Sequence, residues 1–242
     1  MAVALVGSIV RTLNHDGTSN PVNQAFTVAN NGALIITVVG CFDPGAGNPT
    51  ITGVTIGGNA MTADIIQPAL ATTTEDHRIY MFSRANVSAG ATTIAVTRSA
   101  TSVPVSIYSL EISGAATSSP QDGVGASATA TGANPASGNF TAGLSDDAWI
   151  AAFQNENNGT DTSVAAGAGG PTWVLDATNG RNTDGSGGEA ISGIETSMNP
   201  GSVGPFNGNF VAASARYSAI VFAYKAGGAA ATVNRLPLLG VS

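Results

Sequence analysis

Short apolar runs alternate with clusters of turn-forming residues along the whole chain. Asn, Gly, Asp and Pro dominate these clusters, as in Asn30-Asn31-Gly32 and Gly57-Gly58-Asn59. Such residues supply the positive φ angles and local hydrogen bonds that tight turns require. No window sustains the 3.6-residue apolar stripe of an amphipathic helix. The pattern therefore predicts an all-β protein with almost no helix.

The runs that fit strands form two series, one in each half of the chain. The first series is 5–13, 23–28, 33–42, 50–56, 60–66, 77–84, 92–98 and 103–113. The second series is 127–131, 138–142, 148–154, 172–176, 189–195, 208–213, 217–225 and 231–236. In 217–225 the large residues Ile220, Phe222 and Tyr224 alternate with smaller apolar ones, which predicts a central strand that is buried on both faces.

The run 103–113 changes phase partway along. Its apolar positions are Val103, Val105 and Ile107, and then Tyr108, Leu110 and Ile112. This switch predicts either a bulge or a strand that crosses from one sheet to another.

The two halves of the chain are similar in sequence. Residues 26–35 resemble 140–150, and 103–114 resemble 217–227. We expect one antiparallel, jelly-roll-like β-sandwich over 1–228, built from similar halves at about 1–115 and 121–228 and followed by a C-terminal arm at 229–242. Two tandem sandwiches joined by 115–120 are the alternative.

Composition and charge exclude several classes of function. Charged residues make up only 10% of the chain and the net charge is −7. Without a basic patch the chain is not expected to bind nucleic acid or an anionic membrane surface. The apolar stretch 2–10 lacks a basic flank and is expected to be the first strand, not a signal peptide. Cys41, the only cysteine, lies in an apolar run and is expected to be a buried thiol.

One group of motifs carries a family resemblance. Residues 54–62 (VTIGGNAMT) are followed by Ile79-Tyr80-Met81-Phe82, by 89–97 (AGATTIAVT) and by Glu111-Ile112-Ser113-Gly114. This order resembles that of phage and prophage structural proteins with a VTxGGxAxT element, and the tail Arg235-Leu236-Pro237-Leu238-Leu239-Gly240 is similar to their C-terminal ends. The resemblance implies a β-sandwich in a virion, used as a capsid decoration, head-fibre or tail accessory protein, and it carries over no active site.

Candidate chemistry is sparse. His15 and His77 each adjoin an aspartate, but neighbours on a strand point to opposite faces and no G-x-S-x-G is present. A glycosidase would need two facing carboxylates, and the candidates are Glu75, Glu111, Glu156, Glu189 and Glu195. The loop 155–161 offers oxygen atoms to Ca²⁺ but lacks EF-hand spacing. We therefore expect no catalytic residue, no metal site and no cofactor.

The expected contacts are with other proteins. An apolar strip in the arm is predicted to contact a neighbouring subunit, either another virion protein or a second copy of the chain. Its residues are Val233, Arg235, Leu236, Pro237, Leu238 and Leu239. The expected location is the virion or the extracellular space. Two alternatives stay open: a carbohydrate-binding module that contacts host glycan through Trp173, and a self-assembling filament or surface-layer subunit.

Overall fold

The computed structural model describes residues 2–14, 19–43, 50–66, 76–100, 104–155, 165–166, 171–176, 191–212 and 214–228. Regular secondary structure in these residues is entirely β-strand, and the paired strands are antiparallel. The sheets pack face to face on apolar clusters. The predicted all-β, antiparallel sandwich is confirmed, and its jelly-roll detail stays a prediction.

The strands follow the predicted series with shifted ends. The first half contains β1 (Ala4–Asn14), β2 (Val22–Val28), β3 (Ala33–Asp43), β4 (Ile51–Ile56), β5 (Asn59–Ala60), β6 (Thr62–Ile66), β7 (Asp76–Val87), β8 (Gly90–Arg98) and β9 (Val105–Ser113). The second half contains β10 (Ala126–Gly132), β11 (Ala148–Asn155), β12 (Ala165–Ala166), β13 (Val174–Leu175), β14 (Gly193–Met198), β15 (Phe210–Val211) and β16 (Ala215–Tyr224). The predicted strand 231–236 and the whole arm 229–242 lie outside the described residues.

Each half contributes one five-stranded sheet. Inner sheet 1 has the order β1-β9-β3-β7-β6, and inner sheet 2 has the order β10-β16-β11-β14-β13. Counted along the chain within each sheet, both orders are first, fifth, second, fourth, third. The segments that resemble each other in sequence occupy matching places, since β3 and β9 are neighbours in one sheet and β11 and β16 in the other. The central position predicted for 217–225 is confirmed by β16, which lies between β10 and β11.

The outer layers differ between the halves. The first half has a four-stranded outer sheet 1 of order β2-β8-β4-β5. The second half has outer layer 2, which consists of the β12–β15 pair and the segments 133–142 and 203–212. These segments meet at the isolated bridges Ala136↔Asn209 and Phe140↔Phe206. The predicted strand 138–142 is therefore replaced by single bridges, and 208–213 keeps only the two residues of β15.

Three apolar clusters hold the layers together. The seam core lies between the two inner sheets and takes residues from both halves, for example Leu110 and Ile150. Core 1 lies between inner sheet 1 and outer sheet 1, and core 2 lies on the outer face of inner sheet 2. Each fully buried Leu, Ile or Phe stabilises the fold by about 1.5–3 kcal/mol. The halves are thus two similar layered units that share one core.

Strand β9 differs from the prediction made for the run 103–113. Its pairing with β3 runs without a register break from Leu34↔Ile112 to Cys41↔Val105, so the predicted crossing between sheets is wrong. The predicted bulge is found only on the other side of β9, where the extra residues lie in β1 between Val6 and Val10. Both faces of β9 are buried, with Val105 and Ile107 in core 1 and with Tyr108, Leu110 and Ile112 in the seam core. The apparent phase change arises because Ser109 and Glu111 replace apolar residues on the face toward outer sheet 1. Cys41 is buried, as predicted.

The beginning of the chain contacts the second half. The backbone N–H of Val3 donates to Asn199 Oδ1 at 3.2 Å, and Asn199 Nδ2 donates back to the Val3 carbonyl at 2.9 Å. The N–H of Ile9 donates to Asp176 Oδ2 at 3.3 Å, where the register of β1 shifts between Val6 and Val10. Strand β1 is therefore fixed on two sides, by β9 and by the second half.

Candidate functional site

The sequence-predicted contact residues fall in two places. The strip Val233, Arg235, Leu236, Pro237, Leu238 and Leu239 lies outside the described residues, so its assembly role stays a prediction. Trp173 is described and is only 7% exposed. Its ring lies in core 2 together with Trp149, because β13 pairs with β14 and directs Trp173 and Leu175 to the same face. A sugar-stacking residue needs an open ring face, which this Trp173 does not present.

The two described candidate glutamates do not converge. Glu111 lies on the face of β9 toward outer sheet 1, where it accepts hydrogen bonds from the N–H of Ala29 at 2.7 Å, the N–H of Asn30 at 2.9 Å and Asn30 Nδ2 at 2.9 Å. Glu195 lies on the opposite side of the molecule, because it is paired with Ala151 of core 2. The two carboxylates therefore do not form a facing pair. Glu111 instead holds the turn between β2 and β3.

Glu195 is a buried acid with one satisfied oxygen. Its Oε1 accepts a hydrogen bond from the N–H of Asn209 at 3.0 Å, while Oε2 has no hydrogen-bond partner. Burial raises the pKa of Glu195 to about 8. The group is therefore mostly protonated at neutral pH, and its contact with Asn209 fixes segment 203–212 against inner sheet 2.

A second buried acid belongs to a carboxyl pair. Asp122 Oδ2 accepts hydrogen bonds from the N–H groups of Gly143 at 2.5 Å and Leu144 at 3.1 Å. Asp147 Oδ1 accepts from the N–H of Ala226 at 3.4 Å. Burial first, and the adjacent Asp122 second, raise the pKa of Asp147 to about 8. The pair thus connects the segment between β9 and β10, the start of β11 and the residues just after β16, and its role is structural.

A polar network that the sequence did not reveal crosses the seam between the halves. Tyr224 O–H donates to Asp64 Oδ2 at 2.6 Å, and Gln121 Nε2 donates to Asp64 Oδ1 at 2.8 Å and to Ser83 Oγ at 3.0 Å. Burial and the Asp64 carboxylate raise the pKa of Tyr224 well above its usual value. The network joins β6 and β7 to β16. A lone Asp in a strand-like run gives no sequence signal for it.

The remaining candidate chemistry is not brought together in the described part. Within it, no group of three or more His, Cys, Asp or Glu side chains is placed to hold a metal ion. The candidates His15, Glu75, Glu156 and Glu189 and most of the loop 155–161 lie outside the described residues, as does the side chain of His77. Over the same part of the chain, no helix is long and apolar enough to cross a membrane.

A groove of about 410 Å³ surrounds the point where the arm begins, at the junction of the halves. Its lining includes Gly114, Ala115, Gly227 and Gly228. The chain is fixed there by the bridge Ala115↔Ala226 and by a hydrogen bond from the N–H of Gly227 to the Gly114 carbonyl at 2.6 Å. Residues 229–242 therefore follow a segment that is fixed to the junction of the halves through Ala226 and Gly227.

Exposed large apolar side chains are concentrated on the second half. Those described are Ile66, Val124, Leu144, Val174, Val203 and Val211. Leu144, Val203 and Val211 lie in or beside outer layer 2, and Val174 lies on the edge strand β13. Comparisons of the chain with family models, curated proteins and solved structures found no match.

Proposed function

We propose that this chain is a structural protein of a phage particle, of the capsid decoration, head-fibre or tail accessory kind. It acts by assembly with other virion proteins and with copies of itself, and it displays a weakly charged surface outside the cell. The proposal rests on the resemblance carried by the VTIGGNAMT element together with the layered body. It includes no catalytic step, cofactor, nucleic acid or membrane.

The observation that carries the proposal is the distribution of exposed apolar side chains. Several polar groups of the inner body are held by hydrogen bonds, as at Glu111, Asp64 and Asp122. Large apolar groups stay on the outside of the second half, where Val174 is 61% exposed. A contact surface is expected where such groups lie close together, and Leu144, Val203 and Val211 lie in or beside the same outer layer. The arm 229–242, which follows Gly228 in the groove between the halves, is proposed to add a second contact.

The carbohydrate-binding alternative has less support, because its expected aromatic platform, Trp173, is packed in core 2. The alternative of a self-assembling filament or surface-layer subunit shares the assembly step with the main proposal. It differs in needing a contact that propagates between copies of the chain without closing.

Truncation after residue 228 tests the arm. We expect the shortened protein to fold normally by circular dichroism and yet to be absent from purified particles. A sharper version changes Leu236, Leu238 and Leu239 to Ser, with Thr232→Ser as the matched control. Normal incorporation of the triple variant into particles would contradict the arm contact, and absence of the wild-type chain from every particle fraction would contradict the proposed function.

A further inference from the structure

The second inner sheet ends in an edge strand that has none of the usual protection. Strand β10 pairs with β16 through seven consecutive residues without a register shift, from Ala126↔Val221 to Gly132↔Ala215. Among the described residues no other strand pairs with it. Alternate backbone N–H and C=O groups of such a strand point away from its sheet and are free to accept another strand.

The other described edges are each blocked. β1 has a register shift and carries Arg11, while β6 has a register shift beside Asp64. β5, β12, β13 and β15 are each two residues long. β2 is closed by Gln24, whose Nε2 donates to the Val10 carbonyl at 3.1 Å and to Thr12 Oγ1 at 3.3 Å in β1. Proteins commonly use bulges, charges and short strands to prevent edge pairing. β10 lacks all three, with its sequence ASATATG containing neither charge nor proline.

We propose that β10 pairs antiparallel with β10 of a second copy of the chain, which joins two inner sheets 2 into one continuous ten-stranded sheet. The residues of β10 themselves indicate that the partner strand is a second β10. With a two-fold axis through Thr129, Thr129 faces itself, Ser127 faces Thr131, Ala128 faces Ala130 and Ala126 faces Gly132. Every pair then matches two small polar residues or two small residues without a polar side chain, and Thr–Thr and Thr–Ser pairs across strands are favourable.

The residues around β10 also allow a second copy of β10 to pair with it. Thr129, Ala130 and Thr131 are exposed, so both faces of this part of the strand are accessible. Arg216 lies opposite Thr131 on β16, so the two-fold axis places the two Arg216 residues at opposite ends of the paired strands and avoids repulsion.

The contact is small. Pairing of two seven-residue strands falls at the low end of specific interfaces, below about 1,200 Å² in total. We therefore expect a reversible dimer with Kd in the micromolar range. On a particle, where many copies are held close together, the high effective concentration makes such a contact persist. The inference rests on the proposed assembly function for its biological use, although the dimer itself is tested without particles.

The experiment uses the full-length purified chain in sedimentation velocity over a concentration series at physiological salt. Wild type is expected to dimerise. Thr129→Lys alone and Thr129→Glu alone place like charges opposite each other on the axis, and each is expected to raise Kd at least about tenfold. An equimolar mixture of the two variants is expected to restore dimers, because an ammonium group on one copy would then face a carboxylate on the other.

Thr93→Lys is the matched control, because Thr93 is exposed on β8, an interior strand of outer sheet 1. It is expected to leave the dimer unchanged. A monomeric wild type, or a dimer that Thr129→Lys leaves intact, would overturn the inference. A dimer that depends on residues 229–242 and ignores Thr129 would assign the contact to the arm and would also overturn it. The two contacts can fail separately. If the wild-type chain forms the Thr129-dependent dimer but is absent from particles, the β10 contact stands and the proposed virion function fails.

Discussion

The two outer layers of the molecule cover inner sheets of the same strand order but are built differently. Outer sheet 1 contains β2, whose burial alternates strictly from Val22 to Val28, and β8, which supplies the buried Ile94 and Val96. Outer layer 2 contains single bridges and one pair of two-residue strands. Two inner sheets with the same strand order are thus covered by outer layers of different construction. The inner sheets and their shared seam core therefore set the fold, and the outer layers do not.

The difference begins in the sequence. Outer sheet 1 is made from runs that alternate large apolar and polar residues, such as VNQAFTV. The corresponding segments 133–142 and 203–212 are rich in Gly, Asn, Ser and Pro, and only Phe140, Phe206 and Phe210 provide large side chains for core 2. With few apolar anchors, this layer packs through aromatic rings, as in the 4.5 Å separation of the Phe153 and Phe210 ring centres.

The largest expected effect tests whether the seam core joins the halves. Leu110→Ala removes a fully buried side chain from β9 and is expected to lower the free energy of unfolding by ~2–5 kcal/mol. Both tryptophans, Trp149 and Trp173, belong to the second half, so their fluorescence reports on that half alone. Urea unfolding followed by fluorescence should shift as far as unfolding followed by circular dichroism. Val124→Ala is the exposed control, and a fluorescence midpoint that does not move would show that the halves unfold separately.

A smaller effect should distinguish the two outer layers. A Cβ atom added at Gly208 would lie 2.3 Å from the Cβ of Ala151, while one added at Gly53 of β4 would meet no atom within 4 Å. Gly208→Ala is therefore expected to destabilise the protein by about 1–3 kcal/mol through overpacking, and Gly53→Ala to change stability by less than about 1 kcal/mol. Thermal denaturation measures both. Equal effects of the two changes would mean that segment 203–212 does not pack on β11 as described.

The smallest effect concerns pH and the two outer-face glutamates. The pKa of Glu195 is raised from 4.5 to about 8, so between these values the folded chain holds a proton that the unfolded chain has released. Stability from this group is thus full below pH 4.5 and is lost as pH rises toward 8. Glu195→Gln should remove the Glu195 share of this decline, which is at most about 1.4 kcal/mol for each pH unit. Asp147, whose pKa is also raised to about 8, should keep its own share.

Urea unfolding at several pH values between these limits measures the decline. Glu111→Gln is the comparison, because it weakens three hydrogen bonds to the turn after β2. It should lower stability without flattening the pH profile. A wild-type protein whose stability is the same at acidic and mildly alkaline pH would contradict the assignment for Glu195.

Much of the fold could be predicted from alternation alone. The central place of β16, the buried Cys41 and the hairpin of β4 and β5 all follow from runs of apolar residues bounded by glycines. The phase change in β9 is misleading because a strand buried on both faces can carry polar residues on one of them when the turn between β2 and β3 supplies hydrogen bonds.

The polar sites could not be predicted for a physical reason. A strand places every second side chain on one face, but whether that face is open or covered depends on the next layer. Trp173 follows Gly169, Gly170 and Pro171, which suggests a loop edge, yet pairing of β13 with β14 turns its ring into core 2. Asp64, Asp147 and Glu195 likewise have no local feature that marks them as buried.

The contact between the first residues of the chain and Asn199 has a consequence for synthesis on the ribosome. Val3 leaves the ribosome long before its partner exists, and the seam face of inner sheet 1 has nothing to pack against until inner sheet 2 is made. A nascent first half therefore presents Leu34, Ile36 and Leu110 to water during that interval. Its final shape is reached only after inner sheet 2 has been made, and until then chaperones have a wide apolar face to bind.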